Sequence, residues 1–325
     1  MFRHFVKPVN LLLSGYSWVG SFFSPEFTMV RGMPVSVSAE LTNNCNLKCP
    51  ECLAGSGQMK RPHGFMDIEL FRRVIEELRP YLYKINLYFQ GEPMLHPLFI
   101  TFIESCRGIN STVSTNGQFL SPENSEQLVG AGLNRLIVSV DGADQESYSA
   151  YRINGDLERV TRGLDLVAEA IARKRSKMKL EIQLLVNSYN EHQIPEVRIL
   201  AKKLKASLSL KSMQILKKED IGSWLPSGRI FRRYEMIDGE YVIKNRMADR
   251  CARLWFNPVI TWDGKVLPCC FDKDAEYIVG DLNQESFREI WNGPRYRVFR
   301  KALLKDRSMI GICRNCTSGL KGVKY

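Results

Sequence analysis

From residue 34 to about residue 214 the chain alternates short apolar, β-branched runs with amphipathic stretches. No other feature restricts its fold as much. Runs at 35–41, 85–89, 112–114, 136–140, 180–186 and 207–215 read as strands. Between them, helical spacing is found near 66–78, 98–106, 122–130, 157–174 and 195–204. Six units of this kind imply a parallel sheet with helices on its outside. In such sheets the chemistry gathers at the carboxyl ends of the strands. The period breaks after residue 215. Four segments are expected: an N-terminal arm at 1–33, an α/β core at 34–216, a bridge at 217–250 rich in Gly, Pro and charge, and a Cys-rich C-terminal domain at 251–325.

The 325 residues are 44% hydrophobic and 25% charged, enough for one large α/β domain and a smaller one. The formal net charge of +11 attracts anions. No homeodomain, zinc-finger or RNP pattern accompanies it, so no nucleic-acid partner is expected. His4, His63, His96 and His192 share no motif, which removes triad hydrolases. In the arm, Arg3 and Lys7 precede Leu11-Leu12-Leu13 and the aromatic-rich stretch 16–23. Ser14, Gly15, Ser17, Gly20 and Ser21 interrupt that stretch, leaving it too short and too broken to span a bilayer. A packing arm or surface helix is the first expectation, and a peripheral membrane contact through residues 1–25 is the alternative.

Nine cysteines fall mainly into two groups, an odd count that suits metal better than disulfides and fits a cytoplasmic protein. The first group, Cys45, Cys49 and Cys52, has the spacing CxxxCxxC directly after a strand. Three thiolates in one loop can hold three irons of a [4Fe–4S] cube and leave the fourth open for a substrate group. Zinc is the competing reading, but its fourth ligand would have to be the distant His63.

With these cysteines and the motifs that follow in order, residues 34–215 resemble the radical S-adenosylmethionine (SAM) superfamily. The resemblance implies a partial (β/α)6 radical SAM barrel, a cluster on Cys45, Cys49 and Cys52, and SAM chelating the open iron. Gln90-Gly91-Glu92-Pro93 is similar to the family's Gly-Gly-Glu-Pro segment, so Gly91, Glu92 and Pro93 are expected at the SAM amine. Thr115 and Asn116, in Ser114-Thr115-Asn116-Gly117, are expected near the ribose and carboxylate. Ser139 and Asp141 match another strand-end pattern, Arg152 is expected to pair with the SAM carboxylate, and Gln183 to face the ribose. The chain departs from the family at Glu51, where many members carry an aromatic residue that contacts adenine.

The second group is Cys251, Cys269, Cys313 and Cys316, with Trp262-Asp263-Gly264-Lys265 as a hairpin turn between the first two. It resembles the SPASM/twitch module. The resemblance implies one auxiliary [4Fe–4S] cluster on these four cysteines, with a zinc ribbon as the rival. Cys270 is surplus to four ligands and is open to three readings: an alternative ligand, a buried bystander or a thiol hydrogen donor. Cys106 ends an amphipathic helix and is expected to be buried.

The implied activity is reductive cleavage of SAM and abstraction of a substrate hydrogen atom, with two [4Fe–4S] clusters and an electron donor such as flavodoxin or ferredoxin. Oxidation or epimerisation of a small polar, sugar- or cyclitol-like molecule is the first expectation. Maturation of a ribosomally made peptide is the second, and a non-catalytic iron–sulfur partner protein the third.

Overall fold

The computed structural model describes residues 5–24, 26–244 and 248–316. Parts of the expected N-terminal contact and of the C-terminal domain, at 1–4, 25 and 317–325, lie outside the described residues. In chain order the first elements are α1 (Val6–Gly20), β1 (Ser36–Ala39), α2 (Leu53–Ser56), α3 (Ile68–Leu78), β2 (Lys84–Asn86), α4 (Phe99–Ser105) and β3 (Asn110–Thr115). Next come α5 (Pro122–Gly130), β4 (Arg135–Ser139), α6 (Gln145–Tyr151), α7 (Leu157–Arg173), β5 (Lys179–Val186), α8 (Ile194–Lys203) and β6 (Ser207–Ser212). The remainder holds α9 (Ile221–Trp224), β7 (Tyr234–Ile237), β8 (Glu240–Ile243), α10 (Arg253–Phe256), β9 (Val259–Ile260), β10 (Lys265–Leu267), β11 (Gly280–Asp281), α11 (Phe287–Trp291) and α12 (Pro294–Lys305).

Five helices, α3, α5, α6, α7 and α11, start where a side chain satisfies one of their first N–H groups. Asp67 accepts from Leu70 N at 2.7 Å to open α3, and Ser121 and Asp156 do the same for α5 and α7. Ser286 and Glu289 form a reciprocal capping box on α11. The inward face of α3 carries Leu70, Phe71, Val74, Ile75 and Leu78, all buried. Each such side chain contributes about 1.5–3 kcal/mol on burial.

The chain divides into two compact units, and the division runs through the α/β core. One unit comprises Met1–Asn44, Lys60–Ser111 and Met247–Ser318. In it, β1 pairs in parallel with β2, Val37 opposite Ile85, and on its other edge with β9, Ser38 opposite Val259. Strands β10 and β11 continue antiparallel from β9. The Cys-rich segment thus supplies strands that extend the sheet beyond β1. The expected turn at 262–265 is the β9–β10 connection, with Gly264 at φ +82°. Trp255, Trp291, Tyr296 and Arg300 are fully buried here. The Arg300 guanidinium stacks on Tyr296 and donates to the carbonyls of Leu254, Thr28 and Trp291.

Among the described residues, the other unit comprises 45–59 and 112–244. Strands β3 to β6 pair in parallel in chain order, with Val113 opposite Leu136, Ser139 opposite Gln183 and Leu184 opposite Leu210. The parallel α/β architecture is as expected, with shorter strands: 85–89 and 207–215 contract to Lys84–Asn86 and Ser207–Ser212. The bridge is more regular than its composition suggested. It contains α9 and the hairpin β7–β8, turned at Asp238-Gly239 with both residues at positive φ. Cys106 is buried at the C-cap of α4, as expected.

Candidate functional site

In the second unit, the three cysteines of the first group lie on one tight loop. Cys52 N donates to Cys49 O at 3.3 Å, Ser56 N to Cys52 O at 2.7 Å, and Lys48 N anchors the loop to Ile153 O at 3.0 Å. Gly55 permits this packing, because a Cβ there would stand 2.7 Å from Cys49 N. All three are free thiols, Cys49 buried and Cys45 and Cys52 half-buried. They pack with Leu47, Tyr151, Met213 and Ile215 in one apolar cluster. Burial pushes the Cys49 thiol up to about 11, against the pull of Arg152.

The later strand-end motifs meet this loop within the same unit. Asp141, fully buried, accepts from Arg152 Nε at 2.6 Å and from Leu185 N at 2.6 Å. Thus held, Arg152 places Nη1 3.9 Å from Cys49 Sγ. Burial works against the guanidinium charge, but Asp141 and Cys49 outweigh it and keep Arg152 firmly protonated. Asn116 donates to Asn46 Oδ1, inside the cysteine loop, at 2.8 Å. Thr115 Oγ1 accepts from Gly117 N at 3.1 Å. Ser139, the last residue of β4, is the register partner of Gln183, which lies within β5. Glu51, the departure from the family, is buried and accepts from Leu216 N. It ties the loop to the segment after β6.

In the first unit, Gly91 has φ +74°, and a Cβ there would come within 2.6 Å of the Thr42 and Asn44 carbonyls. Only glycine fits that approach. Glu92 N donates to Asn44 O at 2.8 Å, and buried Glu92 caps the turn at Pro93 by accepting from Met94 N at 3.0 Å. Sequence reasoning missed a pair beside this segment, Glu40 and Arg61. Glu40 is fully buried, forms a bidentate ion pair with Arg61, and accepts from the backbone N–H groups of Gln90 and Trp262, each at 3.3 Å. Burial pushes the Glu40 carboxyl up, and Arg61 opposes that. The available signal was a lone carboxylate in the expected strand 35–41, whose other residues are uncharged.

Cys251, Cys269, Cys313 and Cys316 are all buried in the first unit. Cys251 lies within electrostatic reach of Cys269 and Cys313, and Cys316 within that of Cys313, so the four thiols share one region. Two arginines that the sequence did not single out flank them, Arg253 half-buried and Arg307 buried. Arg253 is held protonated by Cys270 first and then by Cys269, Cys251 and Cys316. Arg307 keeps its charge against burial through Cys316, Cys251 and Cys313. Arg253 Nη1 stands 2.7 Å from Cys270 Sγ. The hydrogen bond with Cys269 and then Arg253 pull the Cys270 thiol down, against burial.

Among the described residues, no group of three or more His, Cys, Asp or Glu is placed to hold a single metal ion. The donor sets suit clusters better. Three free thiols in one loop and four neighbouring buried thiols are soft ligand sets, each with cationic side chains to offset thiolate charge.

The AdoMet-dependent heme synthase of Methanosarcina barkeri is 26% identical, over 87% of this chain and 88% of its own. The PqqA peptide cyclase of Gluconobacter oxydans is 27% identical, over 82% and 79%. The structure of Streptococcus suis SuiB bound to precursor peptide SuiA aligns with TM-score 0.64 at 15% identity, over 90% of this chain and 72% of that one. Residues 39–198 match the family model of the radical SAM superfamily, and residues 251–317 match the SPASM iron–sulfur cluster-binding domain. The chain is a radical SAM enzyme with a C-terminal SPASM domain, and its cofactors are S-adenosylmethionine and [4Fe–4S] clusters.

Proposed function

We propose that this enzyme matures a ribosomally made peptide by abstracting a hydrogen atom from it. The likeness to the PqqA peptide cyclase carries this reading, because it covers 82% of the chain rather than the α/β core alone. The sugar- or cyclitol-like substrate expected first draws no support from the curated relatives and yields to the peptide. The heme synthase likeness, of similar extent, makes a heme precursor the second substrate class to assay.

When bound, the cluster and SAM supply a one-electron cleavage to methionine and a 5′-deoxyadenosyl radical, fed by a donor such as flavodoxin or ferredoxin. Cys45, Cys49 and Cys52 hold the SAM-binding cluster. Asp141 fixes Arg152, whose charge offsets the buried thiolate of Cys49 and is directed at the SAM carboxylate. Gly91 and Pro93 shape the turn that presents Glu92 to the SAM amine, and a carboxylate accepts several hydrogen bonds at once. Thr115, Asn116, Ser139 and Gln183 serve the ribose and carboxylate. Cys251, Cys269, Cys313 and Cys316 hold the auxiliary cluster. Cys270 is the residue to test for hydrogen return to the substrate. A cysteine pattern that suits clusters better than disulfides favours a cytoplasmic location.

The test is anaerobic turnover of the reconstituted enzyme with SAM, a reductant and precursor peptides encoded beside its gene. Deoxyadenosine formed in step with a peptide mass change is the expected result. Turnover driven by a heme precursor or a cyclitol, with every such peptide inert, overturns the peptide reading.

A further inference from the structure

Helix α1 is inside out. Its buried face is polar: Asn10, Ser14 and Ser17, with Ser21 just beyond the helix, recur at spacings of four, three and four, all at 4% exposure or less. Each is satisfied. Asn10 and Ser14 donate to Met33 O, Asn10 Oδ1 accepts from Met33 N, Ser17 accepts from Arg31 N, and Ser21 donates to Trp18 O. The opposite face is apolar. Phe5, before the helix, and Val9, Leu12, Tyr16 and Val19 recur at spacings of four, three, four and three, and all are exposed. Leu12 is 73% exposed, and Phe23, just past the helix, is 84% exposed. Leu11, Leu13 and Phe22 widen the exposed surface. A polar stripe turned inward with its hydrogen bonds made leaves the helix no reason to rotate. The apolar stripe is therefore a built outer face, about 22 Å long.

Charge says what covers it. A groove of about 360 Å3 runs beside the helix, lined by Val6, Val9, Leu13 and Met33 and by the guanidiniums of Arg31 and Arg288. Arg31 lies over the exposed Tyr16 ring at 4.6 Å, Arg288 is braced by Tyr81 Oη at 2.8 Å, and Arg250 lies over Phe22 at 5.4 Å. Among the described residues, neither the Arg31 nor the Arg288 guanidinium forms an ion pair with a carboxylate, although the Arg288 backbone N–H donates to Glu77 Oε1 at 2.9 Å. Two guanidiniums beside an apolar groove match a lipid phosphate above its acyl chain. No described helix is long and apolar enough to cross a membrane. We propose that α1 and the Phe22-Phe23 corner seat the protein on the surface of an anionic bilayer, with Arg31 and Arg288 at the headgroups. A second copy of this chain is the weaker occupant, because it would bring Arg31 and Arg288 of two chains of net charge +11 together.

Vesicle flotation of the holoprotein tests this, using neutral phosphatidylcholine vesicles and vesicles with about a third phosphatidylglycerol. The protein is expected to float with the anionic vesicles and to be released by salt. Leu12→Glu with Phe23→Glu should reduce the bound fraction at least about tenfold. Arg31→Glu with Arg288→Glu should reduce it more than about tenfold, and only on anionic vesicles. All four side chains are exposed or line a surface groove, so unchanged melting curves are expected. Failure of the wild-type protein to float with either vesicle overturns the proposal. A dimer that Leu12→Glu converts to monomer, without flotation, overturns it in favour of a second copy.

Discussion

The two cysteine groups differ in how they are assembled, and the difference separates an open ligand set from a closed one. Cys45, Cys49 and Cys52 come from one loop, two of them half-buried, with one guanidinium 3.9 Å from Cys49. Cys251, Cys269, Cys313 and Cys316 are gathered from distant positions, are all buried, and have Arg253 and Arg307 beside them. Three thiols, two of them partly accessible, leave a cluster corner for a ligand, whereas four buried thiols satisfy a cluster completely. The first arrangement suits catalysis, and the second suits stability or electron transfer.

The largest expected effect breaks this comparison outright. Replacing Cys45, Cys49 and Cys52 together with Ala should remove about half of the iron and abolish deoxyadenosine formation. A loss beyond about a thousandfold corresponds to roughly 4 kcal/mol or more of barrier. Iron analysis and product quantification check both parts. Replacing Cys251 and Cys313 should also cost one cluster, yet leave SAM cleavage within about tenfold of wild type. Equal loss of cleavage in the two variants would erase the distinction.

A smaller effect sharpens the electrostatics. Asp141→Asn leaves Arg152 buried without its counter-charge beside Cys49. About 3 kcal/mol of stability should be lost, as expected when one partner of a buried ion pair is removed. Chemical denaturation measures it. The smallest effect concerns the second group. Arg253→Gln removes a positive charge from beside the four thiols, so the auxiliary cluster should become harder to reduce. An EPR-monitored redox titration should show its midpoint moving to a more negative potential, with the first cluster unmoved.

Short-range chemistry was legible in the chain. The cysteine spacings, the turn at Gly264 and the glycine at position 91 depend on neighbours within a few residues, or on a backbone demand that one residue type meets. Arg152 and Asp141 were singled out, but their mutual ion pair was not foreseen. It joins Asp141, just past the end of β4, to Arg152, the C-cap of α6. Glu40 and Arg61 escaped notice because they are 21 residues apart, and the N–H groups that donate to Glu40, those of Gln90 and Trp262, are farther away still in sequence. The regular structure in the bridge was missed although Asp238-Gly239 signalled a hairpin, because Gly, Pro and charge around it dominated the composition.

The N-terminal helix shows where the sequence stops deciding. By itself, the chain determined the parallel α/β core and the ligand-rich cysteine groups, because hydrophobic period and thiol spacing are local properties. Ser14, Ser17 and Ser21 looked like interruptions of an apolar run. Only the tertiary structure turned Ser14 and Ser17 inward, because the carbonyl of Met33 and the N–H of Arg31 lie where their hydroxyls can pair, and left the apolar side chains outside. Periodicity states that a helix has two faces. Which face is buried depends on the hydrogen-bonding groups the rest of the fold presents to it.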